Sequence, residues 1–275
     1  MPGRDTIRGA GMKTIGIIGF GNMGEAMISG LLDRESGYSL SVIEKSAPRR
    51  KLAVETYNAE DCTDTPEKLF ASADAVVLAI KPQDLPALGE EFYSYTEKLP
   101  LISIAAGVNL ETLKELFGSD QIARFMPSLA ASVGKSVTGI SYSDGCSEEF
   151  KELSFTVAES FGLAMEMPER LIPAIIGISG SAIAYVYEFV NALALGGVKN
   201  GIKYDSSLEV ALDVLEGAVS TIRSSGMTPG ELVTKVCSPG GTTIQGISSL
   251  HEDGFTATVM RAVDAAADRA RDLES

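Results

Sequence analysis

The sequence predicts an α/β protein, with an N-terminal Rossmann-type parallel sheet domain followed by an all-helical C-terminal domain. Three observations predict it. Short β-branched apolar runs alternate with helical segments as far as about residue 125. A glycine-rich turn, Gly19-Phe20-Gly21-Asn22-Met23-Gly24, stands between the first of these runs and the first helix. From Pro168 onward, apolar residues recur at helical spacing and no strand pattern follows.

Residues 14–19 (TIGIIG) are a short apolar run, hence a buried strand. The helix after the glycine turn runs through Glu25 to Leu32. Residues 39–43 (SLSVI) form a second strand, and residues 74–80 (DAVVLAI) form another. Lys81-Pro82 ends that strand, since proline has no N–H for the ladder. Residues 100–105 (PLISIA) are the next strand, followed by Gly107 and a helix over about 110–117. Residues 121–125 (QIARF) make one more. Strands separated by helices imply a parallel sheet with right-handed crossovers. Beyond Pro168, helices are expected at about 173–200, 206–224, 229–236, 240–252 and 255–272. Gly201 takes the C′ place after the first, and Asp205-Ser206-Ser207 supplies a cap for the next. The domains are therefore drawn at 12–168 and 169–275.

Composition narrows the function. The 275 residues are 45% hydrophobic and 22% charged, which suits a globular chain with a sizeable core. A net charge of -14 argues against nucleic acid, whose phosphates need clustered Lys and Arg. Cys62, Cys146 and Cys237 are far apart, and His251 is the single histidine, so no metal site is expected. That cysteine usage fits a reducing, cytoplasmic setting. Residues 1–11 lack the apolar core of a secretory signal and read as a flexible extension, with Met12 an alternative start. Leu171 to Val198 carries one charge, Glu188, and is long enough to span a bilayer. Pro173, Ser179, Ser181 and Asn191 interrupt it, so it reads as a helix buried at a subunit interface, not in a membrane.

The glycine turn has the geometry of a dinucleotide site. Gly19 permits the tight turn, Gly21 lets the backbone approach a pyrophosphate, and Gly24 lets helix and strand pack closely. The helix N-terminus, with Phe20, Asn22 and Met23 around it, offers free N–H groups to phosphates. Glu44 follows the second strand, where an acid bonds a ribose hydroxyl. Lys45, Ser46, Arg49 and Arg50 follow at once and suit a 2′-phosphate, so NADH and NADPH are both expected as cofactor. Ile80-Lys81-Pro82, Ala105-Ala106-Gly107 and Met126-Pro127 end strands on the same edge of the sheet.

The C-terminal half carries Val236-Cys237-Ser238-Pro239-Gly240-Gly241-Thr242-Thr243-Ile244-Gln245-Gly246. This string resembles the signature of pyrroline-5-carboxylate reductases. IGIIGFGNMGEAMISGLL, LAIKPQDL, ISIAAGVNLETL, RFMP and ALALGGVKNG resemble that family's other blocks, in order. The resemblance implies reduction of 1-pyrroline-5-carboxylate, a cyclic imine carboxylate, to proline by NAD(P)H. It implies that residues 169–275 bind substrate and interleave two subunits of a homodimer, with dimers assembling into rings. Ser238, Gly240, Gly241, Thr242 and Thr243 would hold the substrate, with Ser238 against its carboxylate and Thr243 near the ring nitrogen. Residue by residue, the physics agrees: two glycines allow successive N–H groups to converge on an anion, and the following helix dipole favours negative charge.

The chain departs from the family pattern at Ser128, where asparagine is usual, at Ile183, where proline is usual, and at Thr228, which precedes Pro229 where histidine is often found. Two other functions share the two-domain plan. A divergent paralogue would act on a related cyclic imine or a hydroxyacid, the latter needing a lysine such as Lys199 or Lys203. A non-catalytic protein would bind cofactor alone.

Overall fold

The computed structural model describes residues 12–34 and 37–274. The extension at residues 1–11 lies outside the described residues. The chain divides into two compact units. Among the described residues, one comprises those up to Gly180 together with those from Ala266 on, and the other comprises Ser181–Ala265.

The first unit is built on an eight-stranded sheet. Its strands are β1 (Lys13–Ile18), β2 (Tyr38–Ile43), β3 (Glu60–Asp61), β4 (Ala75–Leu78), β5 (Leu101–Ser103), β6 (Ile122–Met126), β7 (Ser136–Tyr142) and β8 (Gly162–Glu166), in the order β3-β2-β1-β4-β5-β6-β7-β8. Helices α1 (Asn22–Arg34), α2 (Ala47–Tyr57), α3 (Pro66–Ser72), α4 (Leu85–Thr96), α5 (Leu110–Phe117) and α6 (Glu148–Glu159) connect them. The order reverses between β1 and β4. That is the topological switch point where ligands of open α/β sheets bind.

Strand periodicity sorts the core onto two faces. Ile15, Ile17 and Val77 pack under α1 and α6 with Met27, Ile28, Leu31 and Val157. Ile18, Val76 and Leu78 pack with Leu69, Leu88, Phe92, Leu113 and Phe117 of α3 to α5 on the other. Because both faces are covered, β4 reads AVVL without polar interruption. The strands expected at 74–80 and 100–105 are shorter, and their flanks turn away into the loops that edge the sheet.

The sheet is not wholly parallel: β7 runs antiparallel to β6, and β8 then pairs parallel with β7. After β6 the chain turns back directly through a 3-10 turn, Leu129–Val133, closed by Gly134 in the left-handed region. No crossover helix intervenes there, so the next strand must reverse.

In the second unit, α8 (Ala182–Lys199), α9 (Tyr204–Ser225), α10 (Pro229–Val236), α11 (Thr242–Glu252) and the first turns of α12 (Phe255–Glu274) follow in sequence. The helix expected over 173–200 is broken. A short helix α7 (Ile172–Ile175), starting at Pro173's turn, passes through a π turn at Ile176–Gly180 before α8 begins. Gly201 has φ 92, and its N–H reaches the Val198 carbonyl at 3.0 Å, as its C′ place requires. The cap expected from Asp205-Ser206-Ser207 is not made. Lys203 is the N-cap, extended and without a side-chain cap bond, so α9 starts too early for those residues to cap it. Ser207 is buried and donates to the Ala194 carbonyl at 2.8 Å. A Cβ at Gly197 would lie 1.9 Å from the Ser207 hydroxyl, so α8 and α9 meet at van der Waals closeness there.

This second unit covers little of its own apolar surface. Tyr187 is 64% exposed, Leu195 52%, Val210 57% and Val214 58%. The helical stretch Glu169–Lys199, taken across that π turn, is long and apolar enough to cross a membrane by length and composition, and only 28% of its most apolar window is buried. A core helix would be mostly buried, so this surface requires a cover.

Candidate active site

One candidate region is the carboxyl edge of the sheet at the switch point. Gly19 has φ 90, and a Cβ there would lie 2.6 Å from the Ala79 carbonyl, so only glycine makes this turn. Its N–H bonds the Ile43 carbonyl at 2.9 Å, while Ala79 N–H bonds Ile18. These bonds seat the fingerprint between β2 and β4. A Cβ at Gly24 would approach the Gly19 carbonyl to 2.9 Å, which sets the close passage of α1 over β1. Gly21 is exposed and faces open space. Glu25 N–H to the Gly21 carbonyl is the first bond of α1, so the N–H groups of the preceding turn point outward without intrahelical partners. This donor set fits a pyrophosphate. Phe20 and Met23, also expected around the cofactor, differ in exposure: Phe20 is fully buried, edge-on to Tyr57, and contributes its backbone alone.

Glu44 ends β2. One carboxylate oxygen accepts Phe20 N–H at 2.5 Å and the other accepts Ser46 N–H at 2.6 Å. Arg49 and Arg50 are already engaged. Arg49 pairs with Glu25 at 2.6 Å and also donates to Asn22, and Arg50 reaches Asp61 at 3.6 Å. Lys45 is exposed on the same turn. Burial pushes the Asp61 carboxyl up, but the N–H and hydroxyl of Thr63 and then Arg50 outweigh it and hold that group below the usual range. Lys81 and Pro82 are exposed at the end of β4, next to half-buried Ile80. At the end of β5, Ala105 is buried, Ala106 exposed and Gly107 left-handed at φ 75. Met126 and buried Pro127 end β6. A cleft of about 550 Å³ runs from Asn22 and Met23 along α1, past Ser29 and Tyr57, to Leu129 and Ser132.

A second candidate region lies in the other unit. Ser238-Pro239-Gly240-Gly241 is a turn of type II shape: Gly240 has φ 68, and Gly241 N–H returns to the Ser238 carbonyl at 3.0 Å. Gly241 is the N-cap of α11, with no side-chain cap bond. Its N–H is spent on closing the turn, which corrects the expectation of a donor there. The donors open at this terminus are the N–H groups that follow, with the exposed hydroxyls of Ser238, Thr242 and Thr243 beside them. A Cβ at Gly241 would lie 2.2 Å from the Ser238 hydroxyl, so glycine is needed to keep that hydroxyl at the turn.

Among the described residues no cluster of three or more His, Cys, Asp or Glu could hold a metal ion. Burial raises the thiols of Cys62 and Cys146, which suits packing and not nucleophilic attack.

Residues 169–273 match the family model described as pyrroline-5-carboxylate reductase dimerisation, and residues 14–107 match that of NADP oxidoreductase coenzyme F420-dependent. The pyrroline-5-carboxylate reductase of Aquifex aeolicus is 35% identical over 260 residues, covering 94% of this chain and 97% of the relative. The chain belongs to the pyrroline-5-carboxylate reductase family. The solved reductase of Streptococcus pyogenes superposes with a TM-score of 0.82 at 33% identity, covering 94% of this chain and 98% of that one. The Plasmodium falciparum reductase, solved with NADP bound, gives 0.84 at 28% identity, covering 97% and 100%.

Within the family, two of the three departures, Ser128 and Thr228, have local explanations. Ser128 is buried; its hydroxyl accepts Val137 N–H at 3.1 Å and its N–H donates to Ser136 at 3.0 Å, so it braces the turn between β6 and β7. Thr228 forms a capping box with Glu231, whose carboxylate accepts the Thr228 N–H at 2.8 Å and its hydroxyl at 2.7 Å. At the Ile183 position the helix still starts, with Ser181 as its N-cap. Arg124 on β6 is buried with two acids, a pairing that no local pattern signals, because the partners of a charge inside a strand show only once the chain is folded.

Proposed function

We propose that this chain reduces 1-pyrroline-5-carboxylate to L-proline with NAD(P)H, the closing step of proline biosynthesis. The observation that carries this reading is the exposed Ser238–Thr243 turn. It presents hydroxyls and first-turn N–H groups to an anion, in a chain that also carries a dinucleotide fingerprint.

The chain's own part is binding and orientation. The fingerprint turn and the N-terminus of α1 hold the pyrophosphate, and Glu44 holds the adenosine ribose. Loops ending β4, β5 and β6, at Ile80-Lys81-Pro82, Ala105-Ala106-Gly107 and Met126-Pro127, bound the nicotinamide end. Ser238, with N–H groups of Thr242 and Thr243, takes the substrate carboxylate, and Gly240 and Gly241 shape the turn. The Thr243 hydroxyl orients the ring nitrogen. When bound, the reduced nicotinamide supplies a hydride to the imine carbon. A protonated imine is already electrophilic, so the chain needs no strong general acid. The second proton of the secondary ammonium product comes from solvent.

The working form is a homodimer, with dimers joined in a ring, in the cytoplasm and outside the membrane. The dimerisation model over residues 169–273 supports the homodimer, and exposed apolar side chains spread over α8 and α9, where a lone span would confine them to one helix, favour a subunit contact over a membrane. The domain division proposed is 12–168 for the cofactor and 169–275 for substrate and dimerisation.

Purified protein mixed with pyrroline-5-carboxylate and NADH or NADPH should lose reduced-cofactor absorbance. Turnover on a 2-hydroxyacid alone, or cofactor binding with no turnover of the imine, overturns the reading.

A further inference from the structure

We propose that Glu44 makes NADH the preferred reductant of this chain, with NADPH accepted at lower affinity. The inference rests on the cofactor reading above. The Glu44 carboxylate is held between two turns by main-chain donors, Phe20 N–H at 2.5 Å and Ser46 N–H at 2.6 Å. One belongs to the fingerprint and the other to the loop after β2, so the acid lies where the adenosine ribose passes. A carboxylate has about four acceptor sites. Two are used here, and the residue is only half-buried, so acceptors remain for the two ribose hydroxyls.

A 2′-phosphate meets the opposite condition. It brings close to two negative charges against a carboxylate that cannot swing aside without losing both charge-assisted bonds. Cations could offset that, but those present are committed. Arg49 is paired with Glu25 and bound to Asn22, and Arg50 is paired with Asp61. Counting Glu44, Glu25 and Asp61 against Lys45, Arg49 and Arg50, this paired cluster carries three charges of each sign. Lys45, exposed, would face a dianion with Glu44 beside it. The backbone-tied acid therefore outweighs the basic residues that follow it.

The test is direct titration of the full-length protein with each reduced dinucleotide, by calorimetry or nicotinamide fluorescence, at fixed ionic strength. NADH should bind about tenfold tighter than NADPH or better, one decade being the least that an uncompensated like charge at this range implies. Glu44→Gln keeps the length and an acceptor oxygen but removes the charge. It should tighten NADPH several-fold and weaken NADH, because its amide nitrogen cannot accept the second main-chain N–H, so the ratio narrows from both sides. Glu44→Ser should narrow the ratio further, and if that variant melts early, Glu44→Gln alone decides. NADPH binding as tightly as NADH in the unaltered protein, or a ratio unmoved by Glu44→Gln, overturns the proposal. Failure of a folded protein to bind either dinucleotide overturns the reductase reading itself, which is a different result.

Discussion

Arg124 and Glu169 form an ion pair at 2.8 Å in which the guanidinium is only 1% exposed. A second carboxylate, Glu274 at the end of α12, closes on the same guanidinium. Glu169 also accepts Leu110 N–H at 2.8 Å, so the cluster fixes the start of α5. Leu273 packs against Gly107, where a Cβ would come within 3.2 Å of its carbonyl oxygen. The last turn of the chain thus braces the β5–α5 loop from behind.

Asymmetry follows from desolvation. Glu169→Gln with Glu274→Gln strands a buried cation and should cost about 3–5 kcal/mol, read as a lower urea midpoint at fixed protein concentration. Arg124→Met should cost less. The two carboxylates are 30% and 18% exposed and regain water, while an apolar side chain fills the space. A larger loss for Arg124→Met than for the double variant would refute this account.

Thr243→Ala and Ser238→Ala address the substrate turn. Each removes a hydrogen bond to a charged or charge-developing group, about 1.5–3 kcal/mol, so kcat/KM should fall roughly 10- to 100-fold. Neither residue belongs to the cofactor-binding unit, so the Kd for NADH should stay within twofold or so. Equal losses of turnover and cofactor affinity would argue against these roles.

Legibility in the sequence followed periodicity and local geometry. β1, α1 and the fingerprint were readable because apolar runs and glycines act over a few residues, and Gly19 and Gly24 indeed stand where a Cβ would collide. Helices α10 and α11 were readable from their apolar spacing, and the turn before α11 from Pro239 and Gly240. The reversal into β7 was not, since it depends on a short return through Leu129–Val133 instead of a crossover helix. Nor were the bond from Phe20 to Glu44 and the pairings of Arg49 with Glu25 and Arg124 with Glu169, whose members sit 24 or more residues apart in the chain. Long-range polar pairing leaves no periodic trace.

Gly21 and Gly24 separate cofactor contact from packing. A Cβ at Gly21 meets nothing within 4 Å, so Gly21→Ala should keep the melting temperature while weakening NADH by about tenfold, as the methyl blocks the approach of pyrophosphate. Gly24→Ala forces contacts of 2.9 Å to a carbonyl and 3.1 Å to Ile17. Such overpacking should cost about 1–3 kcal/mol of stability as well as affinity. Thermal melts with paired titrations distinguish them; a Gly21→Ala protein that melts as early as Gly24→Ala would contradict the assignment.

The capping box at α10 makes a pH prediction. Bonds from the Thr228 hydroxyl and N–H hold the Glu231 carboxyl below its usual range. A group with a depressed folded pKa stabilises above its unfolded pKa, and that contribution disappears as pH falls through the folded value. The protection of the Thr228 amide, its exchange rate relative to the intrinsic rate at each pH, should therefore persist at neutral pH and be lost below the ordinary carboxylate range. Thr228→Val, which lacks the hydroxyl, should move the onset to higher pH. An onset that does not shift in that variant would rule out the hydroxyl as the cause.

Val210 and Val214 lie four residues apart on α9, 57% and 58% exposed, and so form one stripe on the helix. A homo-oligomer must cover such a stripe, because valines at this spacing gain nothing from water. Val214→Asp would place an unpaired charge in that contact. Desolvating it costs at least a few kcal/mol, enough to raise the dimer dissociation constant by about 100-fold or more. Val214→Ala, which removes only two methyl groups, should raise it far less. Sedimentation equilibrium gives both constants directly, and circular dichroism checks that the helices persist. An aspartate variant that sediments as the unaltered protein does would place the subunit contact on another face of the second unit.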